Sequence, residues 1–408
     1  MDIFGDTDPK QMSMQGSSHP PIGLYVHVPF CVSKCAYCDF ASYAGREADI
    51  ARYVDAVVQE IARRGAETGH PRADTIFLGG GTPSLLDEHQ ITRILDALRE
   101  AFLIEEGAEI TCECNPGTLG PHPRPLSRRE RGVMAGIPTT PFARALRKAG
   151  VNRLSLGAQA AQARLLGLIG RIHTWDDVIA SVETAREAGF ENLNLDLMFG
   201  LPSQTLADFR ETLAAAIALS PTHLACYGLI VEEGTPICRD IAAGKLALPE
   251  EEVEREMYEL ARRTLAEQGF KQYEISNFAR DGYACRHNIG CWTRVPYLGF
   301  GCAAHSFFDE CRTMNSSTLD AYLTGTPPKT EPISKEEARF ESMMLGLRMT
   351  RGVKDDDFAH MHGMSIREAF GEKLDQAINA GLLEWHEGAL RLTRLGMDLQ
   401  NSVLVDLM

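Results

Sequence analysis

The stretch PFCVSKCAYCDF, residues 29–40, places Cys31, Cys35 and Cys38 in a C-x3-C-x2-C spacing directly after the apolar run LYVHV that begins at Leu24. A loop at a strand end can bring three thiolates together. Structural zinc takes four protein ligands, commonly in C-x2-C pairs, and no second pair stands at a partner spacing in this chain. An iron–sulfur cluster on three cysteines leaves one iron free for a further ligand, and soft thiolates suit it. Ligand logic favours the cluster and keeps zinc as the alternative.

Outward from the cysteines the chain repeats one pattern. Short β-branched or apolar runs start near Leu24, Thr75 (TIFLGG), Glu109 (EITCEC), Asn152 (NRLSLG), Asn192 (NLNLDLMFG) and His223 (HLACYGLIV). Between most of them lie stretches such as ADIARYVDAVVQEIARR with apolar residues at helical spacing, some ending in Gly where a C-cap belongs. Six β-α repeats imply a parallel sheet, either an incomplete barrel or an open doubly wound sheet. Charged and polar residues at the C-terminal strand ends favour the barrel, whose rim is where such folds build their sites.

The repeat is interrupted once. Residues 119–142 are rich in Pro, Gly, Ser and Arg without periodicity and read as a disordered insertion. From Leu119 to Lys148 there are seven basic residues and one acidic, which in this chain reads as a solvated insert rather than a nucleic-acid tail. From about Ser334 the pattern becomes helix, helix and a small hairpin, a winged-helix-like outline. Its nine basic residues against thirteen acidic lack the footprint of a DNA binder. The expected organisation is a disordered tail over 1–20, a partial barrel over 21–245, an extension with linking segments over 246–333, and an α+β domain over 334–408.

Composition removes other classes. The chain has 408 residues, 44% hydrophobic and 24% charged, which is ordinary for a protein with a real core. Its formal charge of −15 gives no general attraction to phosphate backbones or anionic lipid, so nucleic acid is not an expected partner. Peripheral membrane contact stays open. The N-terminus lacks the basic and apolar regions of a signal peptide, and the chain reads as cytoplasmic. In a reducing compartment the eleven cysteines are metal ligands where clustered and small buried groups where scattered. Cys285 and His287 form C-x-H on an expected loop, a pairing able to bind metal.

With an aromatic just before its last cysteine, the C-x3-C-x2-C loop resembles the signature of radical S-adenosylmethionine (SAM) proteins, and GGGTPS, Gly79 to Ser84, resembles the family's glycine-rich SAM turn. The blocks ECNPGT, NRLSLGAQ, LIGRIHT, NLDLMFGLPSQT and EEGTPI extend the likeness to the oxygen-independent coproporphyrinogen oxidase-like subgroup. Asp39 follows Cys38 where the true oxidases carry a fourth cysteine one residue later, which is similar to the haem-chaperone branch. The resemblance implies an α/β fold, a partial (β/α)6 TIM-like radical SAM barrel with a C-terminal winged-helix-like α+β domain. It also implies a [4Fe-4S] cluster on Cys31, Cys35 and Cys38, SAM, and haem as the cargo. Partners would be haem-accepting proteins and an electron donor such as flavodoxin or ferredoxin. The alternative is the oxidative decarboxylation of coproporphyrinogen III to protoporphyrinogen IX.

By matched motif position, Tyr25 and Tyr37 should flank SAM and its cluster, with Gly81 and Thr82 at the methionine end. Glu113, Gln159, Arg171 and Asp196 should line the SAM site or a second SAM-sized pocket. The block CRHNIGCW resembles the haem-associated HNxxYW motif, with Cys291 in the tyrosine position; His287 or Cys291 would then face haem. Ala160 and Ala161 replace the aromatic that the family carries after Gln159.

Overall fold

The computed structural model describes residues 20–119 and 142–408; the disordered tail and nearly all of the insertion expected from the sequence lie outside the described residues. Six strands form the centre of the main sheet: β1 (Ile22–Val28), β2 (Arg72–Gly80), β3 (Leu103–Cys114), β4 (Arg153–Gln159), β5 (Asn192–Phe199) and β6 (His223–Gly228). They pair in sequence order and all in parallel. Helices α1 (Ile50–Thr68), α2 (Glu88–Ala101), α3 (Phe142–Lys148), α4 (Trp175–Glu187) and α5 (Leu206–Ala218) fall between them. Side-chain capping boxes set the starts of α2, α4 and α5, each closing two otherwise unpaired backbone donors.

β6 does not close onto β1. The β6 edge is extended by β7 (Lys271–Gln272) and β8 (Asn277–Ala279), and the β1 edge by β9 (Tyr297–Phe300), β10 (His305–Phe308), β11 (Cys311–Met314) and β12 (Lys329–Pro332). β9 runs parallel to β1, while β8 is antiparallel to β6. Among the described residues this is one twelve-stranded sheet with the six-stranded partial barrel at its centre.

Period-two alternation decides what the barrel encloses. On β1 and β2, Leu24, Val26, Ile76 and Leu78 pack outward against Val54, Val57 and Ile61 of α1 and Ile94 and Leu98 of α2, all of them at or near zero exposure. The opposite face carries Tyr25, Phe77, Glu113, Arg153, Ser155, Asn194, Asp196 and Tyr227, which line an internal cavity of about 480 Å³. A barrel interior is ordinarily filled by branched aliphatic side chains. Polar residues in those positions leave space instead.

The ends of the expected insertion are not loose. Leu119 and Phe142 are buried in the barrel core, and Ala143 donates its backbone N–H to the Leu119 carbonyl at 3.3 Å. After the barrel come α6 (Glu251–Glu267) and α7 (Arg286–Trp292), then α8 (Lys335–Gly346), α9 (Asp355–His362) and α10 (Ile366–Asn379). The last three helices share a separate core with a small antiparallel sheet of β13 (Val353–Lys354), β14 (Leu383–His386) and β15 (Ala389–Leu392). This is the winged-helix-like module. It is tied to the barrel by Arg294, which bridges Glu310 at 2.9 Å and Glu341 at 3.2 Å.

Candidate functional site

The cysteine loop leaves the C-terminal end of β1 and is fixed along its length. Ala36 donates to Ile169 at 2.9 Å and accepts from Ile237 at 2.9 Å, while Lys34 reaches the Phe40 carbonyl at 2.9 Å. Tyr37 packs into a small apolar cluster with Ala160, Leu165 and Ile169. Thus the alanine that stands where the family has an aromatic still contributes a packed wall. Cys31, Cys35 and Cys38 are half-buried and carry free thiols. Burial pushes the thiols of Cys31 and Cys38 up, with hydrogen bonds from Thr82 and Phe40 respectively as the leading opposing influences. Among the described residues no three Cys, His, Asp or Glu side chains converge at single-ion distance. Three soft donors spread along one loop match a multi-iron cluster, in which each thiolate takes its own iron.

A chain of hydrogen bonds runs from the loop to the strand ends. Thr82 donates to the Cys31 sulfur at 3.5 Å, Asn115 donates to Thr82 at 2.9 Å, and Arg171 donates to Asn115 at 2.9 Å and to the Gly157 carbonyl at 3.0 Å. Gln159 ends β4 with φ of 63°, a left-handed strain that persists where surroundings dictate it, often at working sites. Gly81 has a packing role that its sequence did not announce. A Cβ there would stand 2.8 Å from the carbonyl oxygens of both Val28 and Phe30, so the glycine lets β2 approach the cysteine loop's own backbone.

Tyr25, Glu113 and Asp196 face the cavity below. The Tyr25 hydroxyl and His27 Nδ1 are 2.9 Å apart, and His27 Nε2 lies 3.0 Å from the Ala41 carbonyl, which links Tyr25 to the end of the cysteine loop. Glu113 accepts from the Gly80 N–H at 3.0 Å, and Asp196 accepts from Asn194 at 2.7 Å and Ser155 at 3.1 Å. Burial, then the neighbouring charge of Asp196, pushes Glu113 up to about 8, and burial raises Asp196 as well.

His287 and Cys291 sit at the other end. They belong to α7, which packs against β1 at Gly23, β2 at Thr75 and β3 at Glu109; the expected C-x-H loop is the start of this helix. Glu109 accepts the backbone N–H groups of Arg286 and His287 at 3.1 Å each and the Cys285 thiol at 3.4 Å, so this cysteine serves packing at a helix N-terminus. His287 Nδ1 lies 2.9 Å from the Thr75 hydroxyl, and its ring stacks on Phe77 at 5.2 Å. Burial, then Arg153, lowers His287 to about 4, keeping the imidazole neutral. The two ends are not separate sites. Phe40 and Ala41 from the cysteine loop and His287, Asn288 and Cys291 from α7 line one cavity.

Sequence reading overlooked Asn115, Arg153, Ser155 and Asn194. For the last three the signal was present in the alternation of R-x-S-x-G-x-Q over 153–159 and N-x-N-x-D over 192–196, where every second residue departs from the aliphatic pattern of a strand buried on both faces.

A partial parallel barrel with a three-cysteine loop after its first strand defines a radical SAM protein, and residues 25–216 match the model of the Radical SAM superfamily. Residues 333–399 match the HemN C-terminal domain. Heme chaperone HemW of Bacillus subtilis is 38% identical over 386 residues, covering 93% of this chain and 97% of that protein. Heme chaperone HemW of Lactococcus lactis is 34% identical, covering 94% and 96%. The radical SAM coproporphyrinogen III oxidase HemN of Escherichia coli superposes with a TM-score of 0.77 at 23% identity, covering 95% of this chain and 90% of that one, a likeness of fold. The chain belongs to the HemW family of radical SAM proteins.

Proposed function

We propose that the chain is a haem chaperone: it binds haem, carries a [4Fe-4S] cluster and SAM, and hands haem to acceptor proteins. The observation that carries this is the similarity to heme chaperones along nearly the whole chain, joined to a cysteine loop that continues as Asp39-Phe40 with no fourth cysteine.

Cys31, Cys35 and Cys38 would hold the cluster. Their thiols, Cys31 and Cys38 raised by burial, lose their protons as metal binds. A cluster held there would supply one-electron chemistry toward the sulfonium of SAM, with a donor such as flavodoxin or ferredoxin as the source of the electron. Tyr37 fixes the loop from its apolar side. Thr82 holds Cys31, Asn115 holds Thr82, and Arg171 holds Asn115, so the SAM-facing strand ends and the cluster loop keep one geometry. Gly81 and Thr82 would meet the methionine end of SAM, with Glu113, Gln159, Arg171 and Asp196 lining the remainder and Tyr25 below. A neutral Glu113 can donate as well as accept a hydrogen bond.

Haem would then sit on the floor of the same cavity, on the His287 side. His287 offers a neutral imidazole whose Nδ1 is engaged by Thr75 and whose Nε2 has no partner among the described residues. Cys291, half-buried on the same helix, is the second candidate ligand, with its thiol pushed up to about 11 by burial. Among the described residues no helix is long and apolar enough to cross a membrane, and we place the work of the chain in the cytoplasm.

The test is anaerobic reconstitution followed by separate incubations. The reading expects four irons and four sulfides per chain, lost in Cys38→Ala. It also expects a haem Soret band and transfer of that haem to an apo-haemoprotein. Conversion of coproporphyrinogen with SAM and reductant, without haem transfer, would overturn it in favour of the oxidase.

A further inference from the structure

Arg153 is the first residue of β4 and lines the cavity toward its His287 end. Its side chain is 2% exposed, yet among the described residues it forms no hydrogen bond or ion pair, and its Nε is a buried donor without an acceptor. Such a group is costly. Buried guanidinium groups are ordinarily paired, and a donor left unmade forfeits its full hydration. The neighbouring acids do not relieve it by contact. Glu109 is committed to the backbone of α7, and Asp196 is held by Asn194 and Ser155. Across the strand pairing, Arg153 stands opposite Thr111, whose hydroxyl is likewise buried and unpartnered. Arg153 therefore stands unmatched on the wall of a cavity of about 480 Å³, within the size range of small-molecule sites, with the unpartnered Thr111 hydroxyl behind that wall.

We propose that Arg153 is the anchor for a carboxylate of the cargo, one propionate of haem, entering the cavity beside the His287 face. A guanidinium matches a carboxylate with two parallel N–H donors, a geometry that a point charge such as lysine does not reproduce. Porphyrin propionates are the part of haem that needs such a partner, since the ring itself offers apolar surface. The inference rests on the reading that haem is the cargo. SAM also carries a carboxylate, and the experiment separates the two sources.

Haem and its dimethyl ester, in which both propionates are esterified, are titrated by absorbance into the reconstituted wild type, Arg153→Met and Arg153→Lys, with SAM binding measured in parallel. Wild type should bind haem about tenfold or more tighter than the diester, the worth of a hydrogen-bonded charge. Arg153→Met should bind the two alike, Arg153→Lys should keep part of the difference, and SAM affinity should be unchanged in both. Equal binding of haem and diester by wild type overturns the Arg153 assignment and leaves the chaperone reading standing. So does a methionine variant that still discriminates, or one that loses SAM binding instead. Should Arg153→Met fail to fold, judged by its circular dichroism, the wild-type comparison alone decides. Wild type that binds no haem overturns both readings together.

Discussion

Replacing Glu113 by Gln asks whether the cavity keeps its carboxyl groups uncharged. Glu113 faces the cavity from β3 with a single backbone donor, Gly80, at 3.0 Å. Burial, followed by the negative charge of Asp196, raises its carboxyl from the ordinary 4.5 to about 8. The folded state thus holds the proton more tightly than the unfolded chain does. The cost of Glu113 to stability is absent below about pH 4.5, grows as pH rises toward 8, and is constant above that. The difference between 4.5 and 8 sets a ceiling of about 5 kcal/mol, of which about 3 kcal/mol accrues between pH 5.5 and 8.5. Part of the side chain meets cavity water, so roughly 1–3 kcal/mol is the expected measurement. Glutamine keeps the shape and the acceptor for Gly80 but cannot ionise. Denaturant unfolding of both proteins without SAM, at pH 5.5, 7 and 8.5, should show the variant gaining on wild type by that amount as pH rises. Parallel stabilities across the range would refute the reasoning, and a variant that loses ground would mean that the carboxylate is held charged by Arg153.

Gly81→Val should push β2 off the carbonyls of Val28 and Phe30, costing about 1–3 kcal/mol and displacing the cysteine loop. Iron and sulfide content and the thermal midpoint should both fall, and full reconstitution of the variant would contradict this. Glu109→Ala removes the acceptor of two backbone N–H groups at the start of α7, which should destabilise the chain by about 2–3 kcal/mol and speed amide exchange across Arg286–Trp292. Glu109→Gln should recover part of that loss, and unchanged exchange in the alanine variant would sink the assignment.

The strands were legible because each begins in an apolar or β-branched run bounded by helical spacing, as at Leu24 and Thr75. The cysteine loop was legible because three thiols on twelve residues have few other uses. Arg153 and Ser155 were missed for a physical reason. An inward-facing polar residue on a parallel strand looks in one dimension like a lapse in hydrophobicity, and only the register of Thr111 against Arg153 and Glu113 against Ser155 shows the lapses gathering into one space. Cys285 and His287 were read as a loop because Cys, His, Asn and Gly are weak helix formers. The carboxylate that caps them comes from Glu109, 177 residues away from Arg286, and no local pattern announces it. Gly81 was read as making room for a ligand, and the need to accommodate backbone more than fifty residues earlier, at Val28 and Phe30, could not be seen in one dimension.

Helix α7 is seven residues long, about 10 Å from end to end. One of its sides presents His287 and Cys291 to the cavity, and at its far end Trp292 lies under the Arg348 guanidinium at 4.4 Å, in the C-terminal module. No residue of it is more than two turns from either neighbour. The cavity floor and the surface carried by that module are therefore coupled through one short helix. A change accepted on one side must be tolerated on the other, and an engineer who wishes to redirect delivery will have to redesign both together.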